Sequence, residues 1–469
     1  MSDREVALAI GLAAAALVLR RHLAIGVVLP GRRRRAKPSA DGGLARLGAL
    51  WSALLRSALP RGHRVARSRE TYGVTGTLLG ANITGAEKYL GGVLGVDGCV
   101  YAVPGKAGRV LKIVPETGEC LFIGPHFPGH FKWLRGVACG HKIYCVPCQH
   151  ERVLLINTTT GEVSLVGDSY PGSWKWHGAV VARDGSVYAI PQKAERVLRI
   201  DPRTDQTSLI GPSLGAMHNK WYGGLLAADG SIWGVPTCAG SCLKIVPREG
   251  TADVSTVGDL PVGDYKWHGG VVAKDGCIYG IPANSDFVLR IVPGADGVAD
   301  KVDLLGGPIR TGQHRTDGKY KYLGAVVGRD GSIICIPSDS DYVLRICPDA
   351  RGGPPAIERI GESLETTEGT QQNKWQNGYL GPDGCIYGIP LKAESILRVV
   401  PETGEVSCIQ PCGPLRGFNK WEGGVEANGH LYCMPLKATQ VLRIEPPQSA
   451  TDGRSASNYQ RAEPGIMHD

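Results

Sequence analysis

The sequence predicts an all-β fold, a closed β-propeller of about eight four-stranded blades. Three observations predict it: a phrase written eight times, a strand signature in each part of that phrase, and a closing strand that is missing at the end of the array but present before its start. "KWHGGVVAKDGCIYGIP" (Lys266–Pro282) nearly repeats "KWHGAVVARDGSVYAIP" (Lys175–Pro191). Copies begin at Lys88, Lys132, Lys175, Lys220, Lys266, Lys321, Lys374 and Lys420, spaced 43 to 55 residues apart. Such a period is the mark of propellers and arrays.

Each copy follows one plan, and each part reads as a strand. "GGVVA" and "IYGIP" are rich in β-branched and aromatic residues and are joined by an Asp-Gly turn that closes hairpins. "VLRI" alternates and stops at proline, and "EVSLVG" (Glu162–Gly167) alternates again after the turn "TTTG". Nothing in the body has helical period. Four short antiparallel strands per repeat make one blade.

The ends of the array predict closure. The eighth copy stops at "VLRIEP" (Val441–Pro446) without a fourth strand, and "YGVTGTLLG" (Tyr72–Gly80) supplies a matching one ahead of the first copy. An N-terminal strand completing the last blade leaves no sheet edge exposed. The propeller is assigned to residues 72–446, with a seven-bladed ring or an open solenoid as the alternative arrangements.

The flanks differ in kind. Residues 1–30 read as a hydrophobic N-terminal anchor or targeting segment, 31–71 as a basic linker and 447–469 as a disordered tail. Val6–Leu19 is an apolar run of fourteen, short of the roughly 20 residues a spanning helix needs. Extending it to Pro30 places Arg20 and Arg21 in the bilayer. The basic run "GRRRR" lies after the apolar one, so membrane association through residues 6–30 would keep the propeller on the cytoplasmic side. An Ala- and Arg-rich, acid-poor leader also suits organelle targeting.

Charge and cysteine usage narrow the classes. Residues 1–70 hold 14 Lys/Arg against 4 Asp/Glu, whereas the remainder holds 38 against 40. The propeller is thus slightly acidic, which excludes nucleic acid as its partner. Cys99, Cys277 and Cys385 follow "DG" where other copies carry Ser186, Ser231 and Ser332. Such thiols read as small strand residues in a reducing compartment. "CVPC" (Cys145–Cys148) and "CAGSC" (Cys238–Cys242) lack a second pair at zinc-site spacing, and Asn82 and Asn157 are N-x-T acceptors only if the chain is secreted.

The phrase K-W-x-G-G…D-G-x-I-Y-x-I-P…V-L-R-I resembles that of predicted propellers from algae and related protists, across all eight copies. More distantly, its rhythm is similar to the streptogramin-lyase-like propellers. The first resemblance implies a fold and no particular activity. The second rests on propeller rhythm alone and carries no activity over.

Comparing the copies separates scaffold from site. Trp133, Trp176, Trp221, Trp267, Trp375 and Trp421 recur, with Tyr89 and Tyr322 in their place elsewhere, and read as wedges between sheets. The basic residue of "VLRI" recurs in seven copies, from Lys112 to Arg443, and is expected to pair with turn aspartates such as Asp97, Asp184 and Asp275. A ring of anion-binding arginines is the other reading. Variation gathers after "IP" and before "KW", in loops that share one face. It also gathers at the residue after the Trp or Tyr: Leu90, Leu134, His177, Tyr222, His268, Leu323, Gln376 and Glu422.

Two functions follow. In the leading one, a non-enzymatic propeller scaffold binds a protein partner through its variable-loop face, with His177, Tyr222, His268, Gln376 and Glu422 as ligand-binding residues. In the alternative, a metal-assisted lyase or hydrolase acts on a small molecule at the central channel mouth. A divalent metal would then be held by His126, His130, His177, His268 and Glu422. His218, His314 and Asp286 lie in neighbouring loops. Carbohydrate binding by exposed Trp and Tyr is a third option. Neither G-x-S-x-G, a phosphate-binding Gly loop nor H-E-x-x-H is present.

Overall fold

The computed structural model describes residues 70–448 except 81, 295–297, 311–319, 350 and 366–369. The N-terminal segment, the linker, the C-terminal tail and His314 lie outside the described residues. Thirty-two strands form eight four-stranded antiparallel sheets, and no helix occurs among the described residues. Blade 1 is Tyr89–Leu94, Val100–Pro104, Val110–Val114 and Glu119–Ile123, numbered from the channel outward. Blades 2 to 7 repeat that order, with first strands starting at Trp133, Trp176, Trp221, Trp267, Tyr322 and Trp375.

Blade 8 is assembled from both ends of the array. Trp421–Ala427, His430–Pro435 and Val441–Glu445 provide three strands, and Thr75–Leu79 pairs with the last of them from Thr75↔Glu445 to Leu79↔Val441. This is the closure the sequence predicts. The ring has eight blades, not seven.

The core lies between blades. Val93, Tyr101 and Val110 of blade 1 pack with Trp133, Ile143 and Leu154 of blade 2, and comparable clusters join the other neighbours. Second strands such as Val100–Pro104 and Ile278–Pro282 are buried at every position, because both of their faces meet other sheets. The recurrent tryptophans are buried. Each indole donates to the carbonyl just before its blade's third strand, as Trp133 does to Arg152 at 2.9 Å and Trp375 to Ser395 at 2.9 Å. They fasten the innermost strand to the loop between strands two and three.

The lysine of the phrase is a second fastening, and sequence comparison left it without a role. All eight are buried. Lys132 Nζ donates to the carbonyls of Gly105, Ala107 and Gly129, and Lys175 Nζ to those of Cys148, His150 and Gly172. One ammonium thereby ties the preceding blade's strand 2–3 loop to its own entry loop. Burial pushes Lys88, Lys132, Lys175 and Lys220 down to about 8.

The basic residue of "VLRI" pairs differently from expectation. Among the described residues only Lys112 meets its turn aspartate, Asp97, at 2.9 Å. Arg290, Arg345 and Arg398 reach fourth-strand carboxylates, namely Asp303, Glu358 and Glu405. The turn aspartates are already engaged: Asp275 accepts from the Cys277 amide and from the Tyr279 hydroxyl, and Asp383 likewise from Cys385 and Tyr387. Asp97 accepts the same two bonds and still takes Lys112, so what diverts Arg290 is a carboxylate directly opposite on strand four, its register partner Asp303.

Candidate functional site: the channel mouth

Every first hairpin carries one extra residue in its inner strand. Trp176 pairs with Pro191 but Ala179 with Ala189, so three steps on one strand face two on the other. The same irregularity follows Tyr89, Trp133, Trp221, Trp267, Tyr322, Trp375 and Trp421. A bulge of this kind re-aims the side chains it displaces. The displaced residues are the variable ones after the aromatic, and they line the channel.

Three of these residues form a continuous stack. The His177 and Tyr222 rings lie 3.7 Å apart at 30°, and Tyr222 and His268 lie 4.4 Å apart at 38°. Across the channel, the Gln376 amide donates to Glu422 at 3.2 Å. All five predicted ligand-binding residues therefore line one channel, as a stack of three and a bonded pair.

The residue after them is glycine in six blades, Asn377 in blade 7 and Arg135 in blade 2. Gly178, Gly223, Gly269, Gly324 and Asn377 have positive φ, whereas Gly91, Arg135 and Gly423 do not. The bulge thus takes one form in blades 3 to 7 and another in blades 8, 1 and 2. Arg135 occupies the second group. A methyl built on Gly91 would meet its Nη1 at 3.0 Å, and one on Gly423 would meet it at 3.0 Å. The guanidinium accordingly crosses blade 1 and reaches blade 8 over two bare backbones. Sequence reasoning missed this residue. Its signal was present, as a large cation in a column of glycines.

The channel's electrostatics follow from burial with the Arg135 cation inside. Burial drives His177 well below the usual imidazole range and His268 down to about 4, with the Arg135 charge acting in the same direction on both. Burial raises Tyr222 to about 12 and also raises Glu422, while Arg135 opposes each of these shifts. Near neutral pH the stack is uncharged. Nδ1 of His177, a residue only 5% exposed, is buried without a hydrogen-bond partner among the described residues.

Above the channel runs a crown made by the residue before each lysine: Glu87, Phe131, Trp174, Asn219, Tyr265, Tyr320, Asn373 and Asn419. All eight have φ between 48° and 56°. In each, the carbonyl accepts an amide from its own blade's strand 2–3 loop, as Phe131 does from Gln149 and Tyr265 from Asn284. The left-handed backbone is therefore architecture. Asparagine tolerates it best of the residues found there, while an aromatic costs on the order of 1 kcal/mol. Four blades carry the aromatic. Phe131 and Trp174 pair at 5.2 Å and Tyr265 and Tyr320 at 6.2 Å.

Two hollows open under the crown. One of about 490 Å³ is lined by Tyr222, Tyr265, His268, Tyr320, Leu323 and Asn373, and one of about 270 Å³ by Glu87, Leu90, Phe131, Asn419 and Glu422. Among the exposed large apolar side chains, Met217, Val262, Tyr265, Phe287, Tyr320 and Phe418 all belong to the loops of this face.

The five-residue metal set does not converge. His126 and His130 are exposed in the loop before Lys132, and His126 packs over Gly108. His218 is exposed in another loop, and Asp286 faces Lys321 at 3.4 Å. Among the described residues, no three His, Cys, Asp or Glu side chains come together to hold a metal ion.

No protein-family model matches the chain, and no curated protein matches its sequence. Solved structures do resemble it. The computationally designed Ika8 protein superposes with a TM-score of 0.52 at 9% identity, covering 77% of this chain and 99% of that one. Streptogramin B lyase gives 0.49 at 11% identity over 80% and 99%. The Pseudomonas aeruginosa periplasmic gluconolactonase PpgL gives 0.48 at 11% over 80% and 100%. These are likenesses of fold, among them the streptogramin-lyase-like propellers.

Proposed function

We propose that the protein is a non-enzymatic binding propeller that takes a protein partner onto its variable-loop face, centred on the channel mouth. One observation carries this reading: aromatic side chains at crown positions whose backbone favours asparagine. A sequence that keeps Phe131, Trp174, Tyr265 and Tyr320 there accepts strain for contact surface, and strained positions of that kind gather at functional sites. Exposed apolar residues on the same loops support it further.

The metal-assisted lyase or hydrolase is the weaker reading, since its donors are dispersed among the described residues and its likeness to lyases and lactonases is one of fold. Association with a membrane through residues 6–30 completes the proposal. Deleting residues 1–30 should move the protein from membrane pellet to supernatant, and an unchanged distribution would remove the tether.

The test places a photo-crosslinking amino acid at Tyr265, or at Val96 in the turn of the opposite face, in the full-length protein within its source cells. A discrete adduct from position 265, absent from position 96 and abolished by Trp174→Asn with Tyr320→Asn, is the expected result. Equal labelling from both faces would overturn the reading.

A further inference from the structure

We propose that the channel beneath the crown holds a carboxylate-recognition subsite, built from the Arg135 guanidinium with the Tyr222 hydroxyl and the unpaired His177 nitrogen beside it. The inference rests on the binding reading and names the chemical group that the face recognises.

Arg135 is the first argument. Six blades place glycine at this position, so the fold does not require a side chain there. The one arginine is laid across Gly91 and Gly423, where any β-carbon on the neighbours would crowd it. No ion pair joins Arg135 to a carboxylate among the described residues. The Tyr222 hydroxyl already shares the guanidinium, and the remaining donors of its fixed five-donor fork match a carboxylate bidentately.

His177 is the second and independent argument. Its Nδ1 is buried and unpartnered, and a buried polar atom left so costs roughly 1 to 3 kcal/mol. A neutral imidazole carrying its proton on Nδ1 donates to an incoming oxygen. Its ring is fixed against Tyr222 at 3.7 Å, so nitrogen and phenol hold set positions.

The size of the charge selects the ligand. Among the described residues Arg135 is the cation of the channel, and Glu422, next to the Gly423 that the guanidinium overlies, is bonded to Gln376. One cation suits a monoanion, whereas a phosphate dianion calls for more positive charge. Tyr222 is common to the subsite and to the hollow of about 490 Å³, whose Tyr265, Trp267 and Tyr320 rings, away from Asp339, suit a planar apolar body attached to that carboxylate. A carboxylate of this kind comes from a small aromatic acid or from the C-terminus of a chain ending in an aromatic residue.

Calorimetric titration of the full-length protein with phenylacetate, phenylacetamide, inorganic phosphate and N-acetylphenylalanine tests the subsite. Saturable phenylacetate binding is expected, at least tenfold weaker for phenylacetamide and for phosphate. Arg135→Gly installs the residue that six blades already carry, so it should fold, and it should lose at least tenfold in phenylacetate affinity. N-acetylphenylalanine binding tenfold tighter than phenylacetate identifies a chain terminus as the source, and equal binding identifies a small acid.

Three results would overturn the subsite: no saturable phenylacetate binding, equal binding of acid and amide, or full affinity in folded Arg135→Gly. The partner reading fails separately. Loss of the position-265 crosslink with carboxylate binding intact would leave a small-molecule site, and a crosslink retained alongside any of the three overturning results would leave a partner surface without this subsite.

Discussion

The Arg135 guanidinium lies against Gly91, where an added methyl group would meet its Cδ and Nη1, each at 3.0 Å. The atoms that would have to yield are the far end of a flexible side chain. At Gly423 the same addition would meet the Leu90 carbonyl oxygen at 2.5 Å and the Gly91 Cα at 2.8 Å. Gly91→Ala should therefore cost less than about 1 kcal/mol and Gly423→Ala about 2 to 4 kcal/mol, measured by urea unfolding. Equal costs would mean that Arg135 is as immobile as backbone.

Tyr265 is 41% exposed and sits at φ 51°. Tyr265→Asn should raise stability by about 0.5 kcal/mol, because relief of the left-handed strain outweighs the loss of an exposed contact with Asn219. Thermal unfolding reads the change. Destabilisation beyond about 1 kcal/mol would make the tyrosine a structural residue and remove the main support for a binding crown.

Lys132 satisfies three loop carbonyls with one ammonium. Lys132→Met should lose roughly 3 kcal/mol, since carbonyls buried around an apolar side chain keep their desolvation cost without a donor. Lys175→Met should lose about as much, given its matching set of three. A loss below about 1 kcal/mol in both would show that the loops hold themselves.

His268 is held down to about 4, against roughly 6.5 in an unfolded chain. Between those values the unfolded chain binds a proton that the native channel refuses, so stability present above pH 6.5 is lost as pH falls towards 4. The loss from this group is on the order of 2 to 3 kcal/mol. Glu422, raised by burial, works the other way, so the cleanest reading is the difference between wild type and His268→Gln. The variant should show a shallower decline, and parallel curves would place the titration elsewhere.

The architecture was legible because repetition makes each blade a control for the others: the tryptophan column marked the wedges, and "YGVTGTLLG" marked the seam. The arginines of "VLRI" were harder. Their partners depend on whether strand four sets a carboxylate directly opposite, as Asp303 stands to Arg290. The channel set was half visible. Variation after the aromatic pointed to His177, Tyr222 and His268, but the bulge that aims them is a matter of register, which spacing alone does not reveal. Arg135 went unremarked because the variable column drew attention and the glycine column beside it did not.

The seam in blade 8 also has a mechanical consequence. The chain enters the ring at Thr75 and leaves it at Glu445, and these two residues are paired with each other, with the Thr75 hydroxyl 3.0 Å from the Glu445 carboxylate. A pull on the two termini loads that pair alone, then Gly76↔Ile444, then Thr77↔Arg443. Force therefore peels the clasp open one rung at a time instead of shearing all five rungs together. The ring therefore opens most readily under force at the one place where its ends meet.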